Sequence, residues 1–104
     1  MAWFLVCVAG MFEMAWAVGL KYSDGFSRLV PSVLTVAAMA ASFGCLTIAL
    51  KSLPVGTAYA VWTGIGAAGT AALGMYLFQE PATVLRLGSI ALVVAGIVGL
   101  KLAS

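Results

Sequence analysis

Glu13 is a carboxylate near the middle of an otherwise apolar, glycine- and alanine-rich run that covers residues 3–20. At a rise of about 1.5 Å per helical residue, it would lie roughly half-way through a hydrocarbon layer about 30 Å thick. An ionised side chain at that depth costs at least about 2.5 kcal/mol, so a functional site is the default hypothesis. The alternative is a Glu13 that is neutralised by a proton or a helix partner and only packs. The chain offers no basic residue at similar depth to pair with it.

The neighbours of Glu13 at helical spacing favour a cation as its ligand. Trp16 follows it by three residues and Gly10 precedes it by three, so all three share one helix face. An aromatic ring beside a carboxylate attracts a cation by charge and by the negative face of its π system.

Two further segments carry polar or aromatic side chains at helical spacing. In the third apolar segment, one face carries Tyr59, Trp62, Thr63 and Gly66. Trp62 and Thr63 are deep enough to line a cavity, whereas Tyr59 lies near the segment start and also fits an interfacial aromatic belt.

The second apolar segment places Ser42 near mid-depth, with Met39 continuing its face. Ser42 is predicted either to donate a hydrogen bond to Glu13 or to bond back to its own helix, which is the more common arrangement.

The composition excludes most soluble functions. The chain is 64% hydrophobic and 8% charged, with a formal charge of +2, whereas soluble domains carry about 25% charged residues. It contains no histidine, and its two cysteines lie in apolar runs without CxxC spacing, so neither a metal nor another cofactor is predicted. No nucleophile–base pair suggests an enzyme, and the scattered basic residues do not suggest a nucleic-acid partner.

Charged and turn-forming residues divide the sequence into four apolar segments. We expect an all-α membrane protein in which residues 1–104 form a single four-helix transmembrane domain, because backbone groups in lipid must be satisfied within helices. The first segment contains Glu13 and lacks a basic leader, so we expect it to remain in the protein rather than act as a signal peptide. The expected helices cover 2–20, 29–50, 55–78 and 84–100.

Two sequence features outside these helix faces are interpreted as structural. Residues 64–69 read GIGAAG, which matches the dinucleotide motif GxGxxG, but no strand precedes them, so the glycines are expected to permit close helix packing or bending. Asp24 lies in a polar turn and Glu80 stands beside Pro81 in a loop, and neither needs a chemical role.

The charges at the segment ends are almost evenly divided between the two sides of the membrane. Lys51 and Lys101 would lie on one side, and Lys21, Arg28 and Arg86 on the other. The positive-inside rule therefore selects no orientation, and the chain either has one weakly biased orientation or inserts both ways and pairs antiparallel. Four short helices also enclose too little space around a buried charge, which favours a two-fold dimer with both Glu13 carboxylates near the axis.

Several stretches resemble the small multidrug resistance family, and more narrowly its guanidinium-exporter subtype. The resemblance covers essentially the whole chain. Its most specific stretches are residues 10–17 (GMFEMAWA), 21–28 (KYSDGFSR), 51–66 (KSLPVGTAYAVWTGIG) and 99–101 (GLK). The subtype assignment rests on Trp16, Thr57 and the pair Trp62 and Thr63.

The resemblance implies an antiparallel, dual-topology homodimer in a bacterial inner membrane that exports guanidinium and small guanidino cations in exchange for protons. Its implied substrate and proton site consists of Glu13, Trp16, Ser42, Tyr59 and Trp62, with Gly10, Met39 and Thr63 as possible lining. Export of quaternary ammonium ions through the same site is one alternative, and an accessory subunit in which Glu13 only mediates assembly is another. Substrate chemistry separates guanidinium export from quaternary ammonium export, because guanidinium carries N–H donors and quaternary ammonium carries none.

Overall fold

The computed structural model describes residues 1–103, which contain four helices joined by short connections. The helices are α1 (Ala2–Ser23), α2 (Leu29–Ala49), α3 (Val55–Leu77) and α4 (Val84–Ala103). Each is long and apolar enough to cross a membrane. The four-helix architecture expected from the sequence is confirmed. α1 and α4 each run three residues further than expected, so Lys21 and Lys101 lie in last helical turns, where long cationic side chains can reach polar surroundings.

Short connections force consecutive helices to run in opposite directions. After α1, Asp24, Gly25 and Phe26 all adopt left-handed backbone conformations, with φ of 50°, 70° and 66°. Only glycine adopts such a conformation without steric cost. The buried Ser23 hydroxyl stabilises this turn by donating to the Leu20 carbonyl and accepting from the Phe26 amide. The second connection ends at Pro54, after which α3 begins.

Helix α1 is the centre of the fold, because it packs against both α2 and α3, whereas the backbone of α4 approaches only α3. The buried core lies toward the α2–α3 loop. It consists of Val6, Ala9, Leu46, Ala49, Ala58, Val61 and Trp62. None of the described α4 residues is buried. The chain is a plate with extents of 41 × 34 × 16 Å, which is less than two helix diameters thick.

Glycines allow α1 and α3 to approach closely. A Cβ atom added to Gly10 would collide with Ile65, and one added to Gly69 would collide with Met14. The third glycine of this contact, Gly66, lies against Glu13. The GxGxxG stretch of α3 therefore serves helix packing, as expected from its position in an apolar segment.

Candidate functional site

The Glu13 carboxyl group lies in the contact between α1 and α3. It is half-buried and rests against the backbone of Gly66, where a Cβ atom would overlap all three atoms of the carboxyl group. Its Oε1 atom is buried and accepts no hydrogen bond from the residues that the structure describes. The only ion pair within residues 1–103 joins Arg86 and Glu80, so no cation of this part of the chain neutralises Glu13. The site thus offers a carboxylate oxygen to a ligand that can donate hydrogen bonds.

Trp16, about one turn further along α1, also has a buried polar atom without a hydrogen-bond partner among the described residues. Its indole Nε1 is buried and has no hydrogen-bond partner within the described chain. The spacing of three residues keeps Trp16 and Glu13 on neighbouring positions of one helix face. An unused carboxylate oxygen and an unused indole N–H therefore lie on the same face of α1.

Ser42 connects α2 to both other helices of the core. Its hydroxyl donates to the Ala9 carbonyl at 2.7 Å and accepts from the Trp62 Nε1 at 2.9 Å, and all three residues are buried. A serine hydroxyl carries a single proton, and that proton is used on Ala9. In this structure Ser42 therefore donates its hydrogen bond neither to the Glu13 carboxylate nor to its own helix, which corrects both bonding alternatives drawn from the sequence.

The Ser42 bond nevertheless reaches Glu13 through the backbone. Ala9 precedes Glu13 by four residues, and an α-helix pairs the carbonyl of the first with the amide of the second. The chain of bonds from Trp62 through Ser42 to Ala9 therefore fixes the turn of α1 on which Glu13 stands. Mutual polarisation strengthens such chains in surroundings of low dielectric constant.

Trp62 also organises an aromatic cluster beside this network. Its ring lies 5.4 Å, centroid to centroid, from the rings of both Tyr59 and Phe43, in tilted arrangements. Tyr59 is 57% exposed and Phe43 is 46% exposed, so both rings also face outward from the single chain. Sequence reasoning did not select Phe43, because a phenylalanine in an apolar helix carries no signal that separates it from ordinary packing.

The remaining candidate residues are distributed unevenly around this site. Gly10 is buried against Ile65 and serves the α1–α3 contact. Met39 is half-buried on α2, and Thr63 is exposed on α3. The structure thus joins Ser42, Tyr59 and Trp62 in one cluster and places Glu13 beside Gly66, while Thr63 faces away from the core of the single chain.

Comparison with known proteins identifies the family of the chain. The family model described as "Small Multidrug Resistance protein" matches residues 1–93. The chain belongs to the small multidrug resistance family. Over all 104 residues it is 62% identical to a guanidinium exporter of Yersinia pestis, with both chains covered completely.

Two further relatives show the same likeness. The chain is 60% identical to a guanidinium exporter of Escherichia coli K12, with 100% of this chain and 99% of the relative covered. It is 58% identical to a guanidinium exporter of Proteus vulgaris, with both chains covered completely. Family membership and the four apolar helices make it a multi-pass protein of the bacterial inner membrane and a transporter rather than an enzyme.

Proposed function

We propose that this member of the small multidrug resistance family exports guanidinium and small guanidino cations in exchange for protons. One observation supports this most directly: a buried carboxylate oxygen of Glu13 has no partner within the described chain, and no cation of that part is paired with it. The relatives named guanidinium exporters, at 58% to 62% identity over the whole chain, support the substrate.

Guanidinium suits such a site because of its shape and its donors. It is planar, carries N–H groups in a fixed fork and can bond both oxygens of a carboxylate. Glu13 would accept these bonds. The rings of Trp16, Tyr59 and Trp62 would supply faces on which a planar cation can stack. Ser42 would affect the position of Glu13 indirectly, because its hydroxyl bonds to the helix turn that carries Glu13.

Exchange follows if protons and the cation compete for the same carboxylate. A Glu13 that binds a proton has lost the charge that attracts guanidinium, and a Glu13 that binds guanidinium does not take a proton. Export against a gradient then requires only that the occupied site faces each side of the membrane in turn. No additional coupling device is needed.

An antiparallel homodimer completes the proposal. A plate 16 Å thick does not enclose a cation on all sides, and the described part of α4 buries none of its residues within the single chain. A second copy, inserted the opposite way, would cover the open faces and contribute a second Glu13. Two basic residues at the helix ends and loops of one side and three at those of the other are compatible with both orientations.

The decisive experiment is exchange in liposomes by the Glu13→Gln variant. Glutamine keeps the size of the side chain and its hydrogen-bonding capacity but does not carry the charge. We expect guanidinium-driven proton movement to vanish, while the proposed dimer persists when wild type and variant are compared by size-exclusion chromatography in detergent. Asp24→Asn is the matched control, because it removes a carboxylate from the α1–α2 turn with a residue that tolerates its left-handed conformation.

Three outcomes would contradict parts of the proposal. Exchange of guanidinium for protons by Glu13→Gln would refute the mechanism. Loss of the dimer together with activity would favour an assembly role for Glu13. Faster exchange of a tetraalkylammonium ion than of guanidinium under the same pH gradient would show that N–H donors do not select the substrate.

A further inference from the structure

The loop between α3 and α4 folds back onto the end of α3. The amides of Phe78 and Glu80 both donate to the Gly74 carbonyl, at 3.0 and 3.3 Å, and Gln79 between them takes a φ of 55°. This fold-back brings the Glu80 carboxylate against Gly74, where a Cβ atom would collide with it. The carboxylate therefore lies beside the last turn of α3, whose free carbonyls form the negative end of the helix dipole.

Arg86, in the first turn of α4, reaches back to this carboxylate. Its Nη2 lies 2.8 Å from the Glu80 Oε1, and both side chains are about two-fifths exposed, at 38% and 41%. Lys21, the other cation nearby, lies with its Nζ 5.5 Å from the centre of the Phe78 ring. Arg86 is thus the cation that Glu80 binds within the described chain.

Glu80 and Arg86 border a cavity of about 390 Å³ between α1, α3 and α4. Its lining also includes Ala17 and Thr70, which lie one turn beyond Glu13 on α1 and one turn beyond Gly66 on α3. The Thr70 hydroxyl oxygen is buried and has no hydrogen-bond partner among residues 1–103. The cavity therefore extends from the charged loop to within about one helical turn, ~5.4 Å, of the Glu13–Gly66 contact.

We propose that Glu80 is a loading site at which the cation binds before it reaches Glu13, and that Arg86 is a tethered competitor for that site. The head group of Arg86 is itself a guanidinium, so the pair shows that the Glu80 carboxylate accepts this chemical group. A free guanidinium would displace Arg86 from Glu80 and then find the Thr70 hydroxyl oxygen as an acceptor on the way to Glu13. The inference rests on the proposed substrate class and adds a second carboxylate to its path.

A purely structural ion pair makes a different prediction from a competitor. If Glu80 and Arg86 only hold α4 against α3, removing either partner breaks the same bond and affects transport in the same direction. If Arg86 competes with substrate, removing Glu80 weakens loading, and removing Arg86 frees the carboxylate for the substrate. The two single variants then move the KM for guanidinium in opposite directions.

The test is the KM for guanidinium in liposomes, with the maximal rate measured alongside. We expect E80Q to raise KM roughly two- to five-fold and R86Q to lower it by a similar factor, the range that partly exposed charge pairs give. The double variant should behave like E80Q, because a competitor has no effect once its site is gone. Gly74→Ala should also raise KM, because the new Cβ displaces the carboxylate without removing its charge.

Arg28→Gln is the control for charge alone, since it removes a cation on the same side of the membrane, and we expect it to leave KM unchanged. If R86Q does not assemble, R86K takes its place, because lysine keeps the charge but loses the paired donors and should lower KM less. KM values that move together in E80Q and R86Q would overturn the inference and leave the proposed function standing. A wild-type chain that does not exchange guanidinium for protons would overturn both.

Discussion

Replacing Gly66 by alanine should move the Glu13 carboxyl group without removing its charge. The Cβ of the new residue would fall on the space that the carboxyl atoms occupy, well inside the 3.0 Å limit that real Cβ contacts respect. Since the carboxyl group is the far end of a flexible side chain, it is the group that yields. It must retreat by roughly 1 Å or more to restore ordinary van der Waals separation.

The cost of that retreat follows from Coulomb's law. At an effective dielectric constant of about 20, a carboxylate attracts a cation by about 5.5 kcal/mol at ~3 Å and by about 4.1 kcal/mol at ~4 Å. The difference of about 1.4 kcal/mol corresponds to roughly tenfold in affinity. The helix itself should not suffer, because alanine is a better helix former than glycine by about 1 kcal/mol.

The assay is the concentration dependence of guanidinium-driven proton exchange in liposomes, combined with thermal unfolding in detergent. We expect the KM of Gly66→Ala to rise roughly tenfold with no loss of thermal stability. Gly56→Ala is the matched control in the same helix, because a Cβ atom there meets nothing within 4 Å. A Gly66→Ala variant with unchanged KM would refute the reasoning that the position of the Glu13 carboxylate against Gly66 sets the affinity for the cation.

Two further substitutions test the hydrogen bonds of Ser42 and the turn between α1 and α2. Ser42→Ala removes the acceptor of the buried Trp62 Nε1 and should cost about 1–3 kcal/mol of stability. Thr47→Ala is the control and should cost much less, because it removes an exposed hydroxyl bonded to its own helix. Equal melting temperatures for the two variants would contradict a structural role for the network. Gly25→Ala, at a φ of 70°, should destabilise the α1–α2 turn by about 1 kcal/mol; an unchanged unfolding temperature would show that this turn relaxes freely.

Sequence alone predicted the four helices, but it did not predict the hydrogen bonds between them. The depth of Glu13 and the spacing of Trp16 depend on helix geometry, which a single sequence determines. The hydrogen-bond partners of Ser42 depend on the axial position of α2 relative to α1, and a mid-membrane hydroxyl can reach many carbonyls. Its bond to Ala9 was therefore not predictable, although its neighbour Trp62 was selected from helical spacing.

The conformation of the α3–α4 loop was even less predictable from the sequence. Glu80 was interpreted as an ordinary loop charge because it stands beside Pro81, and nothing in the local sequence indicates a left-handed Gln79. The fold-back onto Gly74 requires one specific loop conformation and the absence of a side chain at Gly74. No motif in the sequence indicates either requirement. Tertiary contacts of this kind arise from packing and not from periodicity.

The position of the buried residues along the chain has a consequence for how the protein is made. The last buried residue among those described is Gly74, and none follows it in α4. Chains are synthesised from the N-terminus, and earlier segments can fold before later ones appear. Helices α1 to α3 can therefore close their shared core while α4 is still being translated. The final helix then joins a three-helix scaffold that is already folded, where its residues Ile97 and Leu100 pack against the core and most of its other residues stay exposed to lipid or to a partner.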